Sequence, residues 1–229
     1  MQKKYKVLFF GTGLMGDLVR NVLASLENVD LHVSVEGQST QIGGEGYDLI
    51  FSASFPARLP SELFKLTALG AVNLHTGLLP EGRGVHPLNW ALIWGKEKTG
   101  ITIHKIVDSF DAGDVCLQQE IPIFDTDNIV RLRERVDALV PAIVQEFFRD
   151  PEGYVAGAVP QNQALVSYAP KRRPEDGELN MMASPKQIYD LFRSCDPVEY
   201  PAFIMQGDRK IEITDGELKD GHFFYYANR

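Results

Sequence analysis

Cysteine is scarce in this chain: Cys116 and Cys195 are the only two in 229 residues. Two thiols cannot build a disulfide framework, so the fold must be held by buried apolar surface. Cys116 lies in an apolar run and reads as a core residue rather than a nucleophile. Basic charge is also short. There are 23 Lys and Arg against 31 Asp and Glu, a net charge of -8, which argues against a general nucleic-acid surface. No apolar run reaches the length of a membrane span, and no secretory leader is recognisable at the start, so a cytoplasmic protein with no membrane partner is expected. Internal repeats and low-complexity tracts are missing too. What is present, 44% hydrophobic and 24% charged residues, suits one main globular domain with a small appendage.

Read in order, Tyr5–Phe10 is a buried parallel strand. Gly11-Thr12-Gly13 and Gly16 follow, then a helical pattern through Leu18, Val19, Val22, Leu23 and Leu26. Leu31–Glu36 is a second strand ending in an acid. Three glycines after a strand with an acid about twenty residues on match a dinucleotide fingerprint. The same glycines also suit the tight strand-to-helix turn that any such sheet needs. Gly37 to Tyr47 reads as a loop. Asp48–Ser52 is the next strand, and Ser61–Leu66 a short helix after a Pro-containing turn. Pro87–Trp94 is helical, while Gly100–Val107 and Val115–Ile123 read as strands. Asp127–Phe148 reads as one long amphipathic helix (Ile129, Leu132, Val136, Leu139, Val140, Ile143, Val144, Phe147) with a kink at Pro141. Further on, Ser184 with Pro185 opens a helix. Phe203–Gln206, Gly207-Asp208 and Arg209–Ile213 make a hairpin with a two-residue turn, and His222–Tyr226 adds a strand. The expected division is a domain over 1–159 and a small subdomain over 160–229.

The chain is organised around Asn73-Leu-His75-Thr-Gly77-Leu-Leu-Pro80, which follows the apolar end of a strand at Ala71-Val72. In open α/β sheets ligands bind beside such strand ends. Asn73 and His75 alternate with Val72 and Leu74, so both point to one side. A carboxamide donates to a developing oxyanion, and an imidazole carries a proton near neutral pH. Asp111, in Phe110-Asp-Ala-Gly-Asp114, brings a carboxylate on another loop. Asn73, His75 and Asp111 together suffice for acyl transfer to an amine without a covalent intermediate.

With Arg83-Gly84, Pro87-Leu-Asn-Trp90, Thr99-Gly-Ile-Thr102 and Asp111-Ala-Gly-Asp114, the central run resembles the N10-formyltetrahydrofolate-dependent formyltransferase family over roughly positions 5 to 150, and more loosely in the tail. This chain has Gly77 where that family usually has Ser. The resemblance implies an α/β, Rossmann-like formyltransferase fold, with a mostly parallel twisted sheet flanked by helices and a small C-terminal α+β appendage. It implies Asn73, His75 and Asp111 as catalytic residues and N10-formyltetrahydrofolate as co-substrate. Phe55, Arg58, Leu59, Asp108 and Phe110 become its contacts, and the turn at 55–60 presents backbone groups to the pterin ring. On the acceptor side it implies Gly11, Thr12, Gly13, Arg83, His86, Tyr168, Lys171 and Arg173, with the first three holding a substrate phosphate through loop amides. The segment Arg172-Arg173-Pro-Glu-Asp-Gly177 is similar to one in sugar formyltransferases. The implied acceptor is therefore a nucleotide-linked amino sugar of the lipopolysaccharide or O-antigen kind, and the implied assembly a homodimer. Glycinamide ribonucleotide and methionyl-tRNA are the family's other acceptors.

Other chemistries remain. His75, His86, His104, Asp111 and Asp114 are metal-ligand types, but their spacing matches no compact motif, and no metal is expected. His104, in a strand beside Lys105, reads as structural. The basic turn 171–173 is balanced by Glu175 and Asp176 and doubles as a solvated loop or a phosphate contact. A nicotinamide-dependent reductase built on Gly11, Gly13, Gly16 and Glu36, or a non-catalytic folate or nucleotide binder, is the contrasting class.

Overall fold

The computed structural model describes residues 3–34, 46–65 and 67–227. The chain runs β1 (Tyr5–Gly11), α1 (Gly13–Ser25), β2 (Val29–Val33), β3 (Leu49–Ala53), α2 (Ser61–Phe64), β4 (Ala71–His75), β5 (Arg83–Gly84), α3 (Pro87–Ile93), β6 (Lys98–Lys105) and β7 (Val115–Pro122). It continues through α4 (Ile129–Asp137), α5 (Val140–Phe147), α6 (Pro151–Ala156), β8 (Tyr168–Ala169), α7 (Pro185–Ser194), β9 (Phe203–Gln206), β10 (Arg209–Lys219) and β11 (His222–Ala227). Its contacts divide it into two units. The first holds 1–83, 100–120 and 136–167; the second holds 84–99, 121–135 and 168–229. Of the expected subdomain 160–229, residues 160–167 thus go with the first unit, and the second also takes the α3 segment and most of α4.

The first unit is built on a six-stranded sheet in the order β2-β1-β3-β4-β6-β7. Strands β2, β1, β3 and β4 are parallel, and β6 joins β4 antiparallel. The central strands are near-continuous apolar runs because both faces are covered, as a parallel sheet requires. Leu8, Phe10, Ile50 and Ala71 turn to one face, where Leu63 and the half-buried Phe55, Leu59 and Phe64 pack on them. Phe51 turns to the other, where its ring meets Phe147 at 5.9 Å and Phe148 at 6.0 Å. At the β1–α1 turn, a Cβ on Gly16 would stand 2.7 Å from the Gly11 carbonyl carbon, so glycine is what lets α1 sit this close to its strand. The tight-turn reading of these glycines therefore has a packing reason. Glu36, the acid of the fingerprint, and most of the loop expected at 37–47 lie outside the described residues, as does Leu66 at the end of the expected α2.

One helix expectation is corrected. The segment 127–148 is not a single kinked helix: α4 ends at Asp137 and α5 starts afresh at Val140, with Pro141 in its first turn. Proline has no amide hydrogen to give to the preceding turn but is tolerated where a helix begins.

In the second unit, α7 starts with Ser184 accepting from Gln187 N–H in a reciprocal capping box, with Pro185 in the first turn. The sheet order is β11-β10-β9. The β9–β10 turn is Gly207-Asp208, with Gly207 at φ 61°, as a tight hairpin needs. Ile188, Leu179, Cys195, Ala202 and Ile213 form this unit's small core, flanked by Phe192 and Phe223. Arg172 is fully buried and spans from the Ser194 hydroxyl (2.6 Å) to the Asp176 carbonyl (2.7 Å).

Candidate active site

The site assembles within the first unit, on the sheet face that also carries Ala71. Asn73 and His75 follow Ala71 at two-residue steps along β4, so all three share that face. In the antiparallel register, Asn73 lies directly opposite His104 on β6. The loop after β6 places Asp111 against both histidines.

His104 Nδ1 is 2.8 Å from the Lys105 carbonyl. A carbonyl only accepts, so this nitrogen carries a hydrogen, and Nε2 of an uncharged ring is an acceptor. Asn73 Nδ2, 3.2 Å away, donates to it. One amide hydrogen of Asn73 is thereby spent on His104, which fixes the carboxamide's orientation and aims its second hydrogen elsewhere. His104 is 2% exposed and also lies 3.4 Å from Asp111 Oδ1. His104, read from the sequence as structural, thus holds Asn73 in place. The signal was cross-strand pairing with Asn73, which depends on register and cannot be seen in the linear sequence.

His75 is 6% exposed. Its Nε2 donates to the Gly82 carbonyl at 3.0 Å, and its Nδ1 faces Asp111 Oδ2 at 3.7 Å, an ion-pair distance rather than a hydrogen bond. Burial pushes its pKa below the usual histidine value; the Asp111 carboxylate opposes this and His104 adds to it. At neutral pH the ring is therefore neutral, with the Nδ1 lone pair turned to a carboxylate. A proton arriving on Nδ1 would make an imidazolium already paired with its counterion. Asp111 itself adopts a left-handed backbone, φ 53°, uncommon for a residue with a side chain and concentrated at functional sites. Gly113 completes the turn. A Cβ there would lie 1.9 Å from the Lys105 carbonyl oxygen, so no other residue fits.

The loop from Gly77 is held from below by Thr102, which is fully buried. Its hydroxyl donates to the Gly77 carbonyl (2.6 Å) and accepts from Gln118 Nε2 (2.8 Å) and Leu79 N–H (3.3 Å). This ties the backbone at Gly77 down without a side chain there.

The expected folate contacts fall on two loops of the same unit. Phe55 packs edge-on against Phe10 at 5.3 Å, and Leu59 is half-buried beside it. The Arg58 guanidinium lies 4.9 Å over the ring of Phe110, which is 57% exposed. Arg58 and Phe110 thus bring the 55–59 and 108–110 loops together, with Asp108 exposed in the second. Of the expected acceptor contacts, Gly11 and Gly13 line the β1–α1 turn, and the Thr12 hydroxyl donates to the Ser54 carbonyl at 2.7 Å. Arg83 is buried, with Nε and Nη2 given to Gln161 Oε1 at 3.1 and 2.7 Å, rather than presented on the surface. In the second unit, His86 Nδ1 accepts from Arg172 N–H at 3.0 Å, which leaves Nε2 as its donor. Burial, then the Arg172 charge, lowers its pKa. Tyr168, Lys171 and Arg173 are exposed. Among the described residues, no group of three or more His, Cys, Asp or Glu is arranged to hold a metal ion, and no helix is long and apolar enough to cross a membrane.

A half-buried amide, two buried imidazoles and a carboxylate thus gather at one face of the mixed α/β sheet, with no nucleophilic hydroxyl or thiol among them. Residues 33–146 match the family described as Formyl transferase, and the chain carries a domain of that family. A curated relative, the methionyl-tRNA formyltransferase of Staphylococcus aureus (strain MW2), is 34% identical over 172 residues, covering 75% of this chain; the chain spans only 55% of that relative's length. Among solved structures, methionyl-tRNA formyltransferase from Clostridium thermocellum superposes with a TM-score of 0.72 at 19% identity, covering 98% of each chain. The N-formyltransferase from Helicobacter canadensis, solved with folinic acid and dTDP-3-aminofucose, gives a TM-score of 0.71 at 15% identity and covers 98% of this chain and 96% of that one. At these identities the structures speak for the fold.

Proposed function

We propose that this protein is an N-formyltransferase that moves a formyl group from N10-formyltetrahydrofolate to the primary amine of a nucleotide-linked amino sugar. The observation that carries the reading is the Asn73–His104–Asp111–His75 cluster on one sheet face, beside a half-exposed aromatic and cationic surface from Phe55, Arg58 and Phe110. That surface suits a flat, electron-rich ring and an acidic tail. The co-substrate would supply an activated acyl carbon.

The roles follow from the geometry. Asn73, with one amide hydrogen held by His104, donates the other to the formyl oxygen as negative charge develops there, and needs no reorganisation to do so. His75, neutral at rest, takes up the proton that the attacking amine must lose. Asp111 stabilises the imidazolium as it forms, and the proton then passes to the departing nitrogen. Asn73, His75 and Asp111 are the residues we assign to catalysis, with His104 positioning Asn73. Phe55, Arg58, Leu59, Asp108 and Phe110 are assigned to the folate. Gly11, Thr12, Gly13, His86, Tyr168, Lys171 and Arg173 are assigned to the acceptor, whose nucleotide phosphates suit the exposed Lys171 and Arg173. No metal enters these roles.

The acceptor assignment is supported by the acidic chain, net charge -8, and by a structural neighbour of nearly the same extent crystallised with a nucleotide amino sugar. The sequence relatives favour a second reading, transfer to methionyl-tRNA. In our reading the enzyme is cytoplasmic and works as a homodimer. The edge strand β11, with Phe224 and Tyr226 exposed by 49% and 66%, supports a second copy as its cover. Incubating the protein with N10-formyltetrahydrofolate and, separately, dTDP-, UDP- and GDP-amino sugars and charged initiator tRNA, with mass spectrometry of the products, separates the acceptors. A formylated nucleotide sugar is expected; formylated methionyl-tRNA alone would reassign the acceptor.

A further inference from the structure

The Asp111 loop owes its position to a residue far along the chain. Gln161 is 6% exposed and uses both ends of its carboxamide. Its Oε1 accepts from Arg83 Nε and Nη2 at 3.1 and 2.7 Å. Its Nε2 donates to the carbonyls of Asp111 at 2.8 Å and Gly113 at 2.7 Å. The orientation of this amide is unambiguous: turned over, it would set its NH2 against a guanidinium and its oxygen against two carbonyls. The Arg83 end is anchored in turn. Arg83 N–H donates to the Ser167 carbonyl and Gly82 N–H to the Ser167 hydroxyl, each at 2.9 Å. Gly82 is the residue whose carbonyl receives His75 Nε2. Through the Arg83 side chain, Gln161 therefore links the segment that receives His75 to the turn that carries Asp111, and it grips Asp111 where the backbone is left-handed.

We infer that Gln161 is a positioning residue for the transfer reaction: it clamps the Asp111–Gly113 turn to the Gly82–Arg83 segment and so sets the distance between His75 and Asp111. The inference deepens the formyl-transfer reading and rests on it. A strained turn persists only where its surroundings over-determine it. The His75–Asp111 separation of 3.7 Å lies at the steep part of the Coulomb curve, where a small displacement changes how well the carboxylate supports a proton on the ring. The titratable groups facing His75 are Asp111 and His104, and the charge Gln161 touches is Arg83.

Two substitutions separate positioning from mere support. Gln161→Glu keeps the acceptor that Arg83 needs but replaces the donor to Asp111 and Gly113 with a second oxygen. Gln161→Met removes both ends without adding charge. The expected result is that Gln161→Glu stays folded, with a lowered Tm from the oxygen set against two carbonyls, yet loses about a hundredfold in kcat with KM for donor and acceptor unchanged. In Gln161→Met, followed by NMR in the full chain without substrates, the His75 ring should titrate at lower pH than in the wild type, because Asp111 no longer supports its proton. Wild-type turnover by Gln161→Glu, or an unmoved His75 titration in Gln161→Met, would overturn the inference. The NMR arm needs no transfer activity, so a failure of the formyl-transfer reading would show separately, as a wild type that formylates no amine.

Discussion

Asp111→Asn tests the proton-handling pair with little change of shape. The substitution keeps the side chain's size and removes its charge. In the intact protein the carboxylate oxygen stands 3.7 Å from His75 Nδ1, with the side chains only 13% and 6% exposed. Coulomb attraction between unit charges at that distance is about 1 kcal/mol with water-like screening and about 4 kcal/mol at an effective dielectric of about 20. Burial puts the pair toward the larger figure. The imidazolium that forms during transfer should therefore lose a few kcal/mol of stabilisation, and kcat should fall by about a hundredfold or more. The direction of the pH effect is also set. His75 must be neutral to accept a proton, so turnover rises through its pKa on the acid side. Burial already lowers that pKa and Asp111 opposes the lowering, so removing Asp111 should move the acid limb to still lower pH. The assay is a pH profile of kcat for both proteins, with circular dichroism to confirm that the variant is folded. A variant with the wild-type rate and an unmoved acid limb would refute the role assigned to Asp111.

Other consequences are equally specific. Asn73→Ala should cost about a hundredfold or more in kcat, as loss of an oxyanion donor does, with donor binding retained in a fluorescence titration. His104→Phe keeps a flat ring but no acceptor for Asn73 Nδ2. It should lower kcat about tenfold at unchanged KM; equal losses in folate affinity would point to packing instead. Gly113→Ala would put a methyl group 1.9 Å from the Lys105 carbonyl and should cost about 1–3 kcal/mol in denaturant unfolding. Stability should also fall in mild acid. The folded-state pKa of His75 is depressed, so the unfolded chain binds the proton more readily, and the contribution present above the ordinary value of 6.5 is lost as pH falls through the folded value. Urea midpoints measured from neutral to acid pH read this directly.

Much of the fold was legible because its signals are local. The apolar runs of β1, β3 and β4, the Ser184 cap of α7 and the Gly207-Asp208 turn are each set by neighbouring residues, and each element lies where its pattern puts it. The split between α4 and α5 was not legible, since Ile129, Leu132, Val136, Val140 and Ile143 keep helical spacing across it. Periodicity reports which face is buried, and two helices in succession can keep the same face buried. In the site, Asn73 and His75 were legible as neighbours on one strand. His104 was hidden by an antiparallel register that no local pattern encodes, and Gln161 by a separation of 50 residues from Asp111. Arg83 was expected to contact the acceptor, but its use by Gln161 depends on the same long-range closure.

The most direct test of the account is single-turnover transfer of an isotopically labelled formyl group from N10-formyltetrahydrofolate to a nucleotide-linked amino sugar, run with the wild type and with Asn73→Ala. The account predicts label on the sugar nitrogen in the wild type and a rate reduced about a hundredfold or more in the variant. Label that stays on the folate with every amine offered, or equal rates for the two proteins, would contradict it.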